Sequence, residues 1–267
     1  MEREEDNMLP DIQSIKGDYK FAVLAGIEKL RVPLLVKTRG SDLLCTTEGE
    51  VSMSVLLPAD QKGIHMSRLP IIVNNLNSRK WVLDNLEGVL DEMLTSLEST
   101  EASIVIKFRY FYNKLAPVSG FSGIAHCTCY FKAIKERGQY QFVLSVEVPV
   151  ITLCPCSKEI SEVSAHNQRA FITMDIEYGD SFIWIEELIE IAEKSASCAV
   201  YPVLKRTDEK FVTEKMYNNA KFVEDVAREC ASLLEADTRI RIFNVEVRSE
   251  ESIHQHDAVA RIEGRSI

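Results

Sequence analysis

Residues 104–112 have the sequence Ile-Val-Ile-Lys-Phe-Arg-Tyr-Phe-Tyr, in which every second side chain is apolar or aromatic. Alternation with a period of two gives an extended segment one apolar face, so the pattern predicts a β-strand. His126 to Ile134 follows after a short connection and is the expected hairpin partner. These two segments predict an antiparallel pair near the middle of the chain.

Similar patterns extend outward on both sides and predict further strands and helices. Apolar residues at steps of three and four give helices one buried face. The predicted strands are Leu30–Lys37, Glu50–Leu57, Gln141–Thr152, Ala170–Glu177, Arg239–Arg248 and Ala258–Ile262, and the predicted helices are Trp81–Leu97, Ile183–Lys194 and Lys221–Leu234. Each half of the chain therefore has the order strand, strand, helical region, strand, strand.

This repeated order predicts the α+β class, with antiparallel sheet and helices on one face. We expect a mobile N-terminal segment at residues 1–20, a first unit at 21–135 and a second unit at 136–267, joined in one continuous domain. The length of 267 residues and the hydrophobic content of 46% are sufficient for such a core.

Composition narrows the class of function. A net charge of −10 disfavours nucleic acid as a partner. The longest apolar stretch, Phe142 to Leu153, is interrupted by Glu147 and is shorter than the roughly 20 residues needed to cross a bilayer, so we expect no membrane partner. The start of the chain lacks the features of a secretion signal, which predicts a cytoplasmic protein with reduced cysteines.

Residues Cys154 to Arg169 carry an unusual set of reactive side chains. The sequence is Cys-Pro-Cys-Ser-Lys-Glu-Ile-Ser-Glu-Val-Ser-Ala-His-Asn-Gln-Arg. Thiolate and imidazole are ligands for zinc, manganese or iron, and Pro155 stiffens the turn between the two sulfurs. The segment therefore predicts half of a metal site.

Two other segments are candidate sources of the missing ligands. The charged run Leu204 to Glu214 offers carboxylates, although a solvated loop explains its composition equally well. Glu251 to Asp257 contains His254 and His256, which share one face of an extended chain. A polar hairpin turn is the alternative interpretation of that segment.

Cationic residues suggest a site for an anion. The loop Lys62 to Arg68 contains Lys62, His65 and Arg68 around a glycine, and such a loop can gather phosphate oxygens. A generic surface loop is the alternative. Together with Arg169, Lys205 and Arg206, the loop would supply enough positive charge to hold a triphosphate on an acidic protein.

Glu224 and Asp225 stand at the start of the last predicted helix. Considered alone, Glu224 would form an exposed ion pair with Arg228, four residues later. Acidic residues also favour a helix N-terminus, so a structural role is sufficient to explain both.

Taken together, these motifs resemble the prokaryotic GTP cyclohydrolases of type IB. The resemblance spans most of the chain in the expected order, and it departs at Ile64, Leu69 and Thr207, where Thr, Phe and Pro are expected. The matching motifs are Leu57-Pro58, Lys62–Arg68, Cys154–Ser161, Ala165–Arg169, Leu204–Arg206, Asp208–Lys210, Val212–Glu214, Phe222–Asp225, Glu251–His254 and His256-Asp257.

The resemblance implies a fold, an activity and an assembly. The implied fold is the tunnelling fold, with two tandem ββααββ units per subunit. The implied reaction converts GTP and water to 7,8-dihydroneopterin triphosphate and formate, the first step of tetrahydrofolate biosynthesis. A homotetramer with active sites at subunit interfaces is also implied.

The resemblance also implies roles for individual residues. Cys154, His166 and Glu209 would bind the metal, for which zinc and manganese are the usual candidates and iron is used by archaeal relatives. Cys154, His166 and His254 would be catalytic, with the metal activating water for attack on C8 of guanine. Glu224 would bind the N1 and amino hydrogens of guanine, and Cys156 has no assigned role.

A noncatalytic module with a structural zinc is the competing hypothesis. Cys154, Cys156, His166 and one further residue would then close the site. Structural sites have four protein ligands, whereas catalytic sites keep a position for water. The number of protein ligands therefore separates the two hypotheses.

Overall fold

The computed structural model describes residues 11–13, 15–41, 44–76, 82–179 and 181–265. The strands are β1 (Val23–Lys37), β2 (Leu44–Leu57), β3 (Glu101–Leu115), β4 (Ser122–Glu136), β5 (Gln139–Leu153), β6 (Asn167–Tyr178), β7 (Cys198–Ala199), β8 (Ile240–Ser249) and β9 (Ala258–Arg265). The helices are α1 (Arg68–Leu76), α2 (Leu86–Ser96), α3 (Pro155–Ile160), α4 (Ile185–Ser195), α5 (Arg206–Asn218) and α6 (Val223–Glu235), and a 3₁₀ turn at Val82–Asn85 precedes α2.

The strands lie in the order β1-β2-β3-β4-β5-β6-β8-β9, and β7 pairs with β5. Strands β5, β6, β8 and β9 are antiparallel neighbours, with Leu153 of β5 opposite Asn167 of β6 at the end of their ladder. Burial alternates along them as predicted, and Ile104 and Ile106 of β3 are fully buried while Lys107 is exposed.

The helices lie on one side of the sheet, and α2, α4 and α6 each bury one apolar face. In α6, for example, Val226, Ala227, Cys230 and Leu234 are fully buried, at the three- and four-residue steps of a helix face. The predicted α+β class with mostly antiparallel sheet is therefore confirmed.

The chain forms two compact units. The described residues of the first unit lie within 1–36, 48–106 and 132–142, and those of the second lie within 37–47, 107–131 and 143–267. The predicted division at residues 135/136 falls near the turn between β4 and β5 and stays a prediction. No helix among the described residues is long and apolar enough to span a bilayer.

Part of the N-terminal segment is attached to the first unit. Residues 1–10, half of the segment that we predicted to be mobile, lie outside the described residues. The backbone N–H of Gly17 donates to the Asp60 carbonyl at 2.7 Å, and that of Tyr19 donates to the Ala59 carbonyl at 3.0 Å. The mobility of residues 1–20 as a whole stays a prediction.

The structure corrects the alternative interpretation of residues 204–214 as a solvated loop. Most of this run belongs to α5, of which only Asp208 and Val212 are buried. A helix with so small a buried face has almost no apolar periodicity, which is why the sequence pattern did not predict it. The charged residues of the run are consequently held at fixed helical positions.

Candidate functional site

Cys154 and His166 meet at the open end of the β5–β6 pair. Cys154 directly follows Leu153 of β5, and His166 directly precedes Asn167 of β6. The Cys154 N–H donates to the His166 carbonyl at 3.1 Å. Cys154 also caps α3, with Pro155 at the first helical position, where a missing N–H has no cost.

Ser157 connects these two residues. Its backbone N–H donates to the Cys154 Sγ at 3.4 Å, and its hydroxyl oxygen accepts from the His166 N–H at 3.3 Å. Ser157 therefore joins the Cys154 sulfur and the His166 backbone within one short segment. The half metal site at these residues stays a prediction.

Gln168 orients the His166 ring. Its Oε1 lies 2.9 Å from His166 Nδ1, while its Nε2 donates to Thr152 Oγ1 and to Glu251 Oε1, both at 3.2 Å. Because a carboxylate can only accept, the amide nitrogen faces Glu251 and the amide oxygen faces the ring. The proton of neutral His166 then sits on Nδ1, which leaves the Nε2 lone pair available as a ligand or base.

Glu251 completes this polar cluster. Its Oε2 lies 3.9 Å from His166 Nδ1, and the two side chains are only 12% and 16% exposed. Neither Gln168 nor Glu251 was assigned a role from the sequence. The spacing of Gln168 two residues after His166, on the same face of an extended chain, is the signal that could have suggested it.

The other predicted residues near this end of the sheet are exposed. His254 stacks on His256 with 5.0 Å between ring centroids, so the two rings do share one side of their loop. Arg169 alternates with Gln168 along β6 and so lies on the opposite face from the His166 cluster. Cys156 is exposed on α3.

The N-terminal turn of α5 carries Lys205, Arg206 and Glu209. All three are exposed, and Lys205 Nζ lies 4.6 Å from the Phe121 ring centroid. At its other end, α5 contacts α3, since Lys158 Nζ donates to the Tyr217 carbonyl at 2.7 Å. Glu209 is eight residues before Tyr217, which is roughly 12 Å along a helix axis.

Asp208, the neighbour of Glu209, has a structural role. It is fully buried, and its carboxylate accepts four hydrogen bonds, from the backbone N–H groups of Val118, Ser119 and Lys205 at 2.8 Å and from the Ser119 hydroxyl at 2.6 Å. Burial alone would raise the pKa of Asp208, but these hydrogen bonds outweigh it and lower the pKa far below the usual 3.8. The bonds fasten the loop after β3 to the start of α5.

Glu224 is exposed in the first turn of α6. The expected ion pair with Arg228 is not formed, because Arg228 Nη1 donates instead to Asp225 Oδ1 at 3.1 Å. The structural explanation that the sequence suggested therefore applies to Asp225, and the Glu224 carboxylate is exposed to solvent.

In the first unit, His65 and Arg68 line a cavity of about 340 Å³. His65 Nε2 lies 3.5 Å from Asp11 Oδ2, and Arg68 Nη1 donates to the Ser96 carbonyl. Lys62 is exposed nearby in sequence but is not part of the lining. Two of the three predicted cations of this loop therefore share one cavity.

Within one described chain, the predicted metal ligands do not form a complete site. The described ranges contain no group of three or more His, Cys, Asp or Glu side chains placed to hold a metal ion. Cys154 and His166 are adjacent, and Glu209 stands separately on α5. The same observation gives no support to a closed structural zinc site within a single chain.

Comparison with known proteins identifies the family. Residues 9–260 match the family model described as type I GTP cyclohydrolase folE2. The GTP cyclohydrolase FolE2 of Aromatoleum aromaticum is 43% identical over 265 residues, covering 98% of this chain and 96% of the relative. That of Kosmotoga olearia is 42% identical over 259 residues, covering 96% of this chain and 99% of the relative.

Solved structures show the same fold in distant proteins. A uricase from Arthrobacter globiformis matches with a TM-score of 0.54 at 7% identity, covering 92% of this chain and 94% of the uricase. This similarity confirms the tunnelling fold. The family match over nearly the whole chain then decides in favour of an enzyme over a noncatalytic module, and the chain belongs to the type I GTP cyclohydrolase family.

Proposed function

We propose that this GTP cyclohydrolase is of type IB, requires a divalent metal, and converts GTP and water to 7,8-dihydroneopterin triphosphate and formate. The observation that carries the proposal is the backbone pairing of Cys154 with His166, whose ring is oriented by Gln168, at the end of β5 and β6. We propose tetrahydrofolate biosynthesis as the pathway and the cytoplasm as the location.

The donor set suits a metal of the zinc, manganese or iron type. Cys154 supplies a sulfur, His166 supplies Nε2, and Glu209 supplies an exposed carboxylate, a combination common to sites for these cations. When bound, such a cation would activate water for attack on C8 of guanine. The Gln168 and Glu251 contacts would hold the His166 ring in the required tautomer.

We propose that Glu209 reaches Cys154 and His166 from a neighbouring subunit of a homo-oligomer, expected to be a homotetramer. Support comes from the incomplete ligand set within one chain and from the roughly 12 Å of helix that separates Glu209 from the end of α5 that contacts α3. Exposed carboxylates and imidazoles, such as Glu209 and His254, are then available to a partner.

The remaining residues would bind and orient GTP. His254, exposed next to His256, would transfer a proton to the departing ring nitrogen. Lys62, His65, Arg68, Arg169, Lys205 and Arg206 would contact the triphosphate. Glu224 would accept the two parallel N–H donors of the guanine edge, a geometry that adenine cannot satisfy.

A single assay tests the activity. Purified protein incubated with GTP and either Mn²⁺ or Zn²⁺ should release formate and form a fluorescent pterin after oxidation of the product. Release of formate without a pterin would contradict the proposed product, and retention of both activities after complete removal of metal would contradict the proposed cofactor.

Glu224→Gln is expected to raise KM for GTP by about 10- to 100-fold, because an amide places a donor against one of the guanine donors. Metal content should not change. The wild type should prefer GTP to inosine triphosphate, which lacks the amino group, and the variant should lose most of that preference. Asp225→Asn, in the same helical turn, is the matched control and should retain both KM and preference.

The opposite result is equally informative. If Glu224→Gln loses metal while binding GTP normally, then Glu224 belongs to the metal site and the proposed contact with guanine is wrong.

A further inference from the structure

The cavity that contains His65 and Arg68 has a second wall made by the N-terminal segment. Asp11, Gln13, Ile15 and Lys16 line it together with residues of the 60–68 loop, among them Asp60, and with Leu97 and Glu98. The sequence predicts a mobile segment at residues 1–20 and therefore does not predict this part of the lining. With about 340 Å³, the cavity has room for a chain of phosphate groups.

Backbone contacts hold this wall in register. Lys16 forms an antiparallel bridge with Gln61, and the next residue, Gly17, donates its N–H to the Asp60 carbonyl. The bridge fixes the Lys16 backbone beside the loop that leads to His65. Lys16 and Arg68 therefore line the same cavity.

An anionic side chain already contacts the imidazole of the loop. Asp11 Oδ2 lies 3.5 Å from His65 Nε2, with the two side chains 49% and 29% exposed. A contact between such accessible groups is weak and exchangeable. A polyphosphate carries more charge than one carboxylate and can contact several cations at once, so it can replace Asp11 at His65.

We propose that Asp11 and Lys16 are part of the polyphosphate site, where Lys16 contacts the bound polyphosphate and Asp11 is a competing anion that the polyphosphate displaces from His65. This inference rests on the proposed role of His65 and Arg68 in binding the triphosphate of GTP. It assigns opposite effects to two charged residues of the same segment.

The test measures KM for GTP, together with the Kd of inorganic tripolyphosphate by calorimetry, on the full chain. Lys16→Ala should raise both constants by about 5- to 20-fold, and Asp11→Asn should lower both by about 2- to 5-fold, with kcat within about twofold of the wild type in each case. Lys20→Ala removes the same charge from the adjoining chain outside the cavity lining, so it is the matched control and should change neither constant.

Because the two variants are expected to change KM and Kd in opposite directions, the test distinguishes contact with the polyphosphate from a structural role. Damage to the fold of this segment would weaken binding in both variants. The inference is overturned if Lys16→Ala changes tripolyphosphate binding no more than Lys20→Ala, or if Asp11→Asn weakens it. Arg68→Ala separates this failure from that of the proposed function. If Arg68→Ala weakens tripolyphosphate binding and the wild type turns over GTP, the proposed function stands and only the role of Asp11 and Lys16 is lost.

Discussion

Cys154→Ala is expected to lower kcat by a factor on the order of 10³, with loss of bound metal. Cys154 directly follows β5, and its backbone N–H donates to the His166 carbonyl. Removal of its thiol therefore takes away the softest ligand of the proposed site. A factor of 10³ corresponds to roughly 4 kcal/mol of transition-state stabilisation. The measurement is steady-state turnover of GTP combined with metal analysis of the purified variant.

Cys156→Ala is the matched control, because Cys156 is a second cysteine on the same short helix and is exposed. We expect it to retain most of the activity and its metal. Full activity of Cys154→Ala would remove Cys154 from the site, whereas equal loss in both variants would show that the proposed ligand set is incomplete.

The position of Glu209 allows a stricter test of the same site. Subunits carrying Cys154→Ala and subunits carrying Glu209→Gln should each be inactive, yet mixed oligomers should recover activity if the ligands come from different chains. Random mixing would make about a quarter of the interfacial sites intact, since each site needs a normal cysteine from one subunit and a normal glutamate from the other. No recovery in verified mixed oligomers would place all ligands within one chain.

The fold could be predicted because its signals are periodic. The strand at residues 104–112 and the helix at residues 223–235 bury regular apolar faces, and both were predicted within a few residues. Helix α5 was not predicted as a helix, because its contacts with the protein depend on Val212 and on the buried carboxylate of Asp208. An exposed helix and a surface loop can both be rich in charged residues, so composition alone does not distinguish them.

The site could be predicted only where it depends on residue type. Thiol and imidazole chemistry predicts Cys154 and His166 as metal ligands. The structure pairs their backbones, and the metal site itself stays a prediction. Glu251 could not be found in that way, because its role depends on a hydrogen bond to Gln168, which is 83 residues away along the chain. Asp208 and Glu209 are adjacent carboxylates in the sequence, and only burial distinguishes them.

Asp208→Asn is expected to lower Tm by roughly 5–10 °C, because an amide cannot accept four hydrogen bonds and turns its NH₂ toward buried N–H donors. Asp225→Asn is a close control. Asp225 also occupies the third position of a helix and accepts from a backbone N–H, that of Phe222 at 3.3 Å, but it is exposed. We expect its replacement to lower Tm by only about 1–2 °C.

The difference in Tm between Asp208→Asn and the wild type should also depend on pH, in a direction fixed by the lowered pKa of Asp208. A carboxyl whose pKa is lower in the folded protein contributes stability fully above its unfolded pKa, near 3.8, and loses it as the pH falls toward the folded value. Thermal unfolding should therefore show the full difference at pH 5–7 and a shrinking one below about pH 4. If the difference in Tm between the variant and the wild type stayed constant at acid pH, the shape of the Asp208 side chain, and not its charge, would hold the loop after β3 to α5.

Asp208 anchors the helical turn that carries Lys205, Arg206 and Glu209. Asp208→Asn should therefore also weaken metal binding at temperatures where the protein is still folded.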